Sequence, residues 1–206
     1  MFRWNFGFPD GTDVGSRGDH ADLGSTAGFG DHYIENGSGY FDLDGSLYAL
    51  PTTSTDGGNG ATSVVLSIWV RPDVQQANDG LLTTRGTDYI GVAIGASTND
   101  AYFVYQGNAE VTATNVFSTD NWTHVLAQVS ASSIEIYADG VLKATNSTVS
   151  SSALTVDDHW WVGWDDFSGG RAFDGDVSMP SVYTNTWFSS AQVLSLYNAT
   201  TNGHSN

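Results

Sequence analysis

Residues 121–145 read NWTHVLAQVSASSIEIYADGVLKAT, and this stretch decides the fold. Asp139-Gly140 stands between alternating apolar residues, a strong signal of a β-hairpin closed by a two-residue turn. Upstream, VVLSIWVRP (64–72) alternates Leu66, Ile68 and Val70 on one face with Ser67, Trp69 and Arg71 on the other, and Pro72 is expected to end it. YIGVAIG (89–95) and AYFVYQG (101–107) follow as short strands. One helix is expected. In FSSAQVLSLYNA (188–199), Ser189 as N-cap and Gln192 three residues on form a capping box, and Val193, Leu196 and Tyr197 make an apolar stripe at i, i+3 and i+4. Many short strands and one late helical piece give an all-β sandwich. No linker, charge block or repeat divides the chain, so residues 1–206 read as one domain.

The composition supports a folded β domain: 40% hydrophobic residues with 7 Trp, 9 Tyr and 10 Phe supply a sizeable core, and 24 Gly supply turns. Asp and Glu number 23 against 6 Lys and Arg, a net charge of −17. So negative a surface repels nucleic acid phosphates and anionic membranes. Lys143 is the only lysine. Excess carboxylate with little lysine suits a protein that stays soluble in concentrated salt, where repulsion is screened within about 3 Å at 1 M. A halophilic source is the expectation, and an acidic marine or extracellular protein the alternative. With no cysteine, disulfides, thiolate metal sites and thiol catalysis are excluded. No apolar run approaches the roughly 18 residues of a transmembrane helix, so no membrane insertion is expected. The opening MFRWNFGFPDGTD (1–13) has no apolar core of a signal peptide, which predicts folding in the cytoplasm if the chain begins natively at Met1.

The order of the pieces resembles the laminin G-like branch of the concanavalin A-like lectin/glucanase superfamily, a jelly-roll sandwich of two antiparallel sheets. FRWNFGFPDGTDVGSRGDHADLGST (2–26) looks like the opening strand and its Asp- and Gly-rich loop, and GYFDLDGSLYALP (39–51) like the next strand and its turn. LSIWVRPD (66–73), the W-x-H-V strand and DG hairpin of 122–145, and WVGW (161–164) resemble the Trp-bearing, hairpin and hydrophobic-Gly strands. FDGDVSMPSVYTNTWFSSAQVLSLY (173–197) is similar to the closing F-x-G strand and last helix. The resemblance implies a binding or adhesion module without catalysis, and calcium as an ion that such domains often hold. Many relatives carry an acidic pair after the F-x-G where this chain has Ser178 and Met179.

The candidate site lies in DDHWWVGWDDFSGG (157–170). As a strand it sets Trp160, Val162 and Trp164 on one face, and His159, Trp161 and Gly163 on the other. The resemblance turns Val162 inward, so Trp160 is expected in the core, Trp164 in the core or at the strand's mouth, and Trp161 outward. An outward tryptophan stacks on a sugar ring or anchors an interface, and a loop over it is the equal alternative. Calcium needs about six to eight oxygens from clustered carboxylates and carbonyls. Asp10 and Asp13, Asp157 and Asp158, and Asp165, Asp166, Asp174 and Asp176 qualify by composition, none with EF-hand spacing. One weak structural calcium near Asp165, Asp166 and Asp174 is the expectation, set against solvated surface carboxylates.

Catalysis finds little support. The glucanases of this superfamily place three acids as E-x-D-x-x-E on one strand. The nearest string here puts Tyr137 two residues after Glu135, and Asp139 belongs to the turn. The five histidines show no ligand spacing, and His124 reads as a packed strand residue. Of four N-glycosylation sequons, Asn146 in a Ser/Thr-rich loop is the best placed. Phe2, Trp4 and Phe6 alternate with Arg3 and Asn5, the opening strand packing inside or, alternatively, an arm that docks on a capsid. The tail ATTNGHSN (199–206) has no core residues of its own, and a neighbouring subunit is one way to tie it down. The first functional expectation is a virion surface subunit, a homo-oligomer assembled in the host cytoplasm and meeting capsid or tail proteins and host glycans. A free-standing, secreted lectin module is the second, and a glycoside hydrolase or lyase the third.

Overall fold

A computed structural model describes residues 2–3, 21–23, 32–35, 38–44, 49–51, 60–84, 90–105, 109–149, 160–165, 171–201 and 204. In chain order these form β1 (Phe2–Arg3), β2 (Ala21–Leu23), β3 (His32–Glu35), β4 (Ser38–Asp44), β5 (Ala49–Pro51), β6 (Val64–Val74), β7 (Gly80–Thr84), β8 (Ile90–Ile94) and β9 (Ala101–Tyr105). There follow β10 (Ala109–Ala113), β11 (Thr123–Val129), β12 (Ile134–Ala138), β13 (Val141–Asn146), β14 (Trp160–Val162), β15 (Trp164–Asp165), β16 (Arg171–Ala172), β17 (Asp174–Thr184) and the helix α1 (Ser190–Thr200).

All pairings among the described residues are antiparallel. The first sheet runs β13-β12-β11-β6-β17-β4-β3, with β1 also paired to β17, and the second runs β10-β9-β8-β7-β14-β5-β2. Sequence-distant strands lie side by side, β6 between β11 and β17 and β14 between β7 and β5, so the chain passes back and forth between the sheets. This is the all-β, two-sheet antiparallel jelly roll expected from the sequence, with one C-terminal helix.

The alternation of β6 holds. Leu66, Ile68 and Val70 lie in the core between the sheets, facing Phe103, Val92 and Trp160 among others from the second sheet. Asp139 and Gly140 both take positive φ, 50° and 76°, as the hairpin turn from β12 to β13 requires. Ser189 caps α1 in a full capping box with Gln192. Pro72 does not end β6, which continues to Val74. On the Pro72 side β11 stops at Thr123, paired with Val70, and the Pro72 carbonyl accepts from Asp120 N–H at 2.8 Å. Among the described residues no strand faces the missing N–H there, so the proline costs the ladder nothing.

The F-x-G of the closing strand has a steric reason. Gly175 sits at φ 141° beside a register shift, and a Cβ there would fall 2.3 Å from the Arg71 carbonyl oxygen. A second register shift between Ser178 and Ser181, with Met179 at φ 50°, divides β17. Its first half pairs with β4 and its second half with β1. The edges β13 and β10 meet where Asn146 Nδ2 donates to the Glu110 carbonyl at 3.0 Å. Val141, Leu142 and Lys143 lie exposed on β13, and the lysine's charge disfavours edge-to-edge pairing.

Candidate functional site

Trp160 and Val162 of β14 are buried in the core, and Trp161 between them points out of the sandwich, half-buried, opposite Thr83 of β7. Trp164 departs from the expected alternation. Gly163 adopts φ 75° and donates its N–H to the Leu81 carbonyl at 3.0 Å, so the chain turns over β7 before β15 begins. Thr83 Oγ1 donates to the Trp164 carbonyl at 2.7 Å. Trp164 thereby joins Trp161, half-buried like it, with ring centroids 6.4 Å apart and planes at 30°. One tryptophan expected on the outer face is in fact a stacked pair.

Across this face, β-pairing sets Trp161, Thr83, Gly91, Val104 and Glu110 in one row, with Ala93, Tyr102 and Thr112 in the next. Thr83, Ala93 and Val104 are buried, while Tyr102 is half-buried and Glu110 and Thr112 are exposed. The tryptophan pair thus borders a covered strip of small residues. Burial, and then the hydrogen bond its hydroxyl donates to the Glu110 carboxylate, push the Tyr102 phenol up. The phenol therefore stays protonated as a fixed donor.

The expected calcium ligands are only partly described. Asp166 lies outside the described residues, as do Asp10, Asp13, Asp157 and Asp158. Asp165 stands opposite Arg171 in the β15–β16 register, and Asp174 opposite Asp44 in β17–β4. Asp176 is taken by Arg71, its Oδ2 lying 2.5 Å from Nε. Among the described residues no three acidic or histidine side chains converge as a metal centre would need. Glu135, weighed above for catalysis, accepts from Gln128 at 2.8 Å and from the Tyr137 hydroxyl at 2.7 Å.

The outer face of the first sheet holds the second tryptophan site, which the sequence reading missed. Ser67, Trp69 and Arg71 face outward as expected, but α1 and His204 cover Ser67 and Trp69. Val193 packs with Val65, Leu126 and Tyr137 into a small apolar cluster separate from the main core. At the start of α1, the buried Gln128 amide holds both backbone groups of Phe188, each at 3.0 Å. At its end, Trp69 Nε1 donates to Thr200 Oγ1 at 3.0 Å. His204 then stacks flat on Trp69, centroids 4.4 Å apart and planes at 8°, and meets Trp122 edge-on. Its Nδ1 donates to the Thr200 carbonyl at 2.9 Å. Thr200 and His204 are both buried, so these two residues of the tail are held by the chain's own first sheet. The spacing of Thr200 and His204 was the available signal, four residues apart at a helix end.

His124 lies beneath this cover, 1% exposed, with Nε2 2.9 Å from Ser67 Oγ. Its Nδ1 has no hydrogen-bond partner among the described residues. Burial, and then the nearby His204, lower the imidazole to about 3. A cavity with room for about one water adjoins it, lined by Ser67, Ser181, Tyr183 and Thr200 among others.

Solved structures share this architecture. The chain is similar to domain 4 of AbnA, an extracellular GH43 arabinanase from Geobacillus stearothermophilus determined with arabinotriose: TM-score 0.75, 15% identity, 95% of this chain and 97% of that one. It is similar to the binding domain of botulinum neurotoxin serotype D at TM-score 0.73 and 11% identity, over 97% of this chain and 50% of that one. A heptameric SAP-like pentraxin from Limulus polyphemus matches at TM-score 0.61 and 10% identity, over 77% of this chain and 81% of that one. At such identities the likeness concerns the fold alone. No curated protein matches the sequence significantly. The Laminin_G_3 family model matches residues 44–193, and the chain belongs to the concanavalin A-like lectin/glucanases superfamily.

Proposed function

We propose that this domain is a non-catalytic glycan-recognition module, with Trp161 and Trp164 as its stacking surface, carried on a virion from a high-salt habitat. The observation that carries the recognition role is the stacked, half-buried tryptophan pair outside the core. Indoles so placed offer an apolar face to the C–H side of a sugar ring. The arabinotriose bound to the similar arabinanase domain supports an oligosaccharide as ligand. The net charge of −17 on an adhesive fold supports the virion role, which brings homo-oligomeric assembly and capsid or tail proteins as partners. A lectin module serving a carbohydrate-active protein is the second reading, favoured by the near-complete match to a single arabinanase domain. Calcium near Asp165, Asp166 and Asp174 belongs to either reading as a structural ion.

The test is calorimetric titration in molar salt with arabino-oligosaccharides and a glycan panel, with calcium and with chelator, on the native chain and Trp161→Ala. Binding weakened at least about tenfold in Trp161→Ala, without change of fold, is the expected result. Equal affinity in the variant moves the site elsewhere, and silence across the panel removes glycan recognition. A melting temperature indifferent to chelation removes the calcium.

A further inference from the structure

We propose that the C-terminal end of α1, with His204 behind it, is an acid-released latch over the outer face of the first sheet. The two ends of the helix are fastened by different chemistry. The start is held by the Gln128 amide and by the Tyr137 hydroxyl, 3.1 Å from Ser190 Oγ. The end is held through Trp69, with His204 stacked upon it and His124 beside it on β11, 5.2 Å from the Trp69 ring. Because the helix packs through a cluster separate from the main core, its end can lift without opening the sandwich.

Among the described residues, no acidic side chain pairs with the His124 imidazole, whose one hydrogen bond is to Ser67. From β6, Arg71 lies 5.2 Å from the Trp122 ring and is paired with Asp176 of β17. From α1 and β17 come the phenols Tyr197 and Tyr183, and from the tail comes His204. On β12, Glu135 is engaged by Gln128 and Tyr137. Asp139, in the β12–β13 turn, accepts from the His124 backbone N–H at 3.0 Å, and its carboxyl is raised, chiefly by burial. Protonation of His124 therefore needs bulk solvent, and bulk solvent reaches it when the latch lifts.

The sign follows. His124 in the closed state titrates near 3 and in the open state near its ordinary 6.5, so protons favour opening throughout that window. Asp139 acts in the opposite direction, taking its proton more readily when closed, and offsets part of the effect at the acid end. Between pH 7.5 and 5 the His124 difference alone multiplies the open fraction by about thirtyfold.

The test is site-resolved amide exchange by NMR at pH 7.5 and pH 5, corrected for intrinsic rates, on the native chain and on His124→Gln. The expected result is a loss of protection of at least about tenfold at Leu196–Thr200, with β6 and β11 staying more strongly protected than these amides at both pH values. In His124→Gln the same amides should change less than about threefold. Protection of α1 that ignores pH overturns the latch. So does protection of α1 equal to that of β6 and β11 at both pH values, which means that the helix opens only with the whole domain. Should His124→Gln fail to fold, the contrast between α1 and the strands in the native chain still decides.

Discussion

Trp69 and Trp161 hold equivalent places in the strand pattern, each flanked by inward residues and each pointing out of the sandwich. Trp69 is nonetheless 2% exposed, sealed by the helix and by His204, while Trp161 keeps part of its ring in solvent beside Trp164. Alternation along a strand fixes which side of a sheet a ring takes, but not what lies upon that side. Cover comes from residues far away in sequence, here Thr200 and His204 for Trp69, 131 positions apart in the hydrogen bond. A sealed outward ring stabilises, and an open one is available for binding.

The strongest way to break this comparison is to remove each ring. Trp69→Ala should cost about 3–5 kcal/mol in denaturant melts, as a buried indole lost with its hydrogen bond to Thr200. Trp161→Ala should cost less than about 1 kcal/mol in the same melts. Equal costs would make Trp161 a structural residue and strip the second face of its claim to a ligand.

A smaller effect sharpens the first face. His124 in the fold binds its proton only near 3, below the unfolded value of 6.5, so stability is complete above pH 6.5 and falls as acid is added. The native chain should lose about 2 kcal/mol to this residue between pH 7.5 and 5, and His124→Gln should show that much less slope. The smallest effect concerns the second face. Gly163→Ala, at φ 75°, should cost about 1–2 kcal/mol. It should also weaken the near-ultraviolet circular dichroism of the coupled Trp161–Trp164 pair. An unchanged spectrum would mean that the turn does not set their stacking.

Much of the fold was legible because its signals are local. The capping box of Ser189 and Gln192, the Asp139-Gly140 turn and the two faces of β6 each need only neighbouring residues. The misreadings share one cause. Trp164 left its expected face because Gly163 took a left-handed conformation, which strand alternation cannot anticipate. Pro72 stayed inside a strand because β11 had already ended beside it. His204 looked like frayed tail because the ring it stacks on lies in β6. The sequence pointed to Trp161 but not to its partner, and the buried histidine site is assembled entirely by long-range contacts.

Lys143, the single lysine, has a practical consequence. It lies exposed on the edge strand β13 of the first sheet, whereas the tryptophan pair stands on the outer face of the second. Apart from a free chain terminus, amine-directed chemistry has one address on this molecule. A reagent that spares the terminal amine would tether every copy by the same strand, in one orientation, with the aromatic pair left uncoupled. Force applied there would pull on β13 and its hydrogen bonds to β12 before anything else. The residue that guards the sheet edge is thus also the natural handle for mounting the domain on a surface.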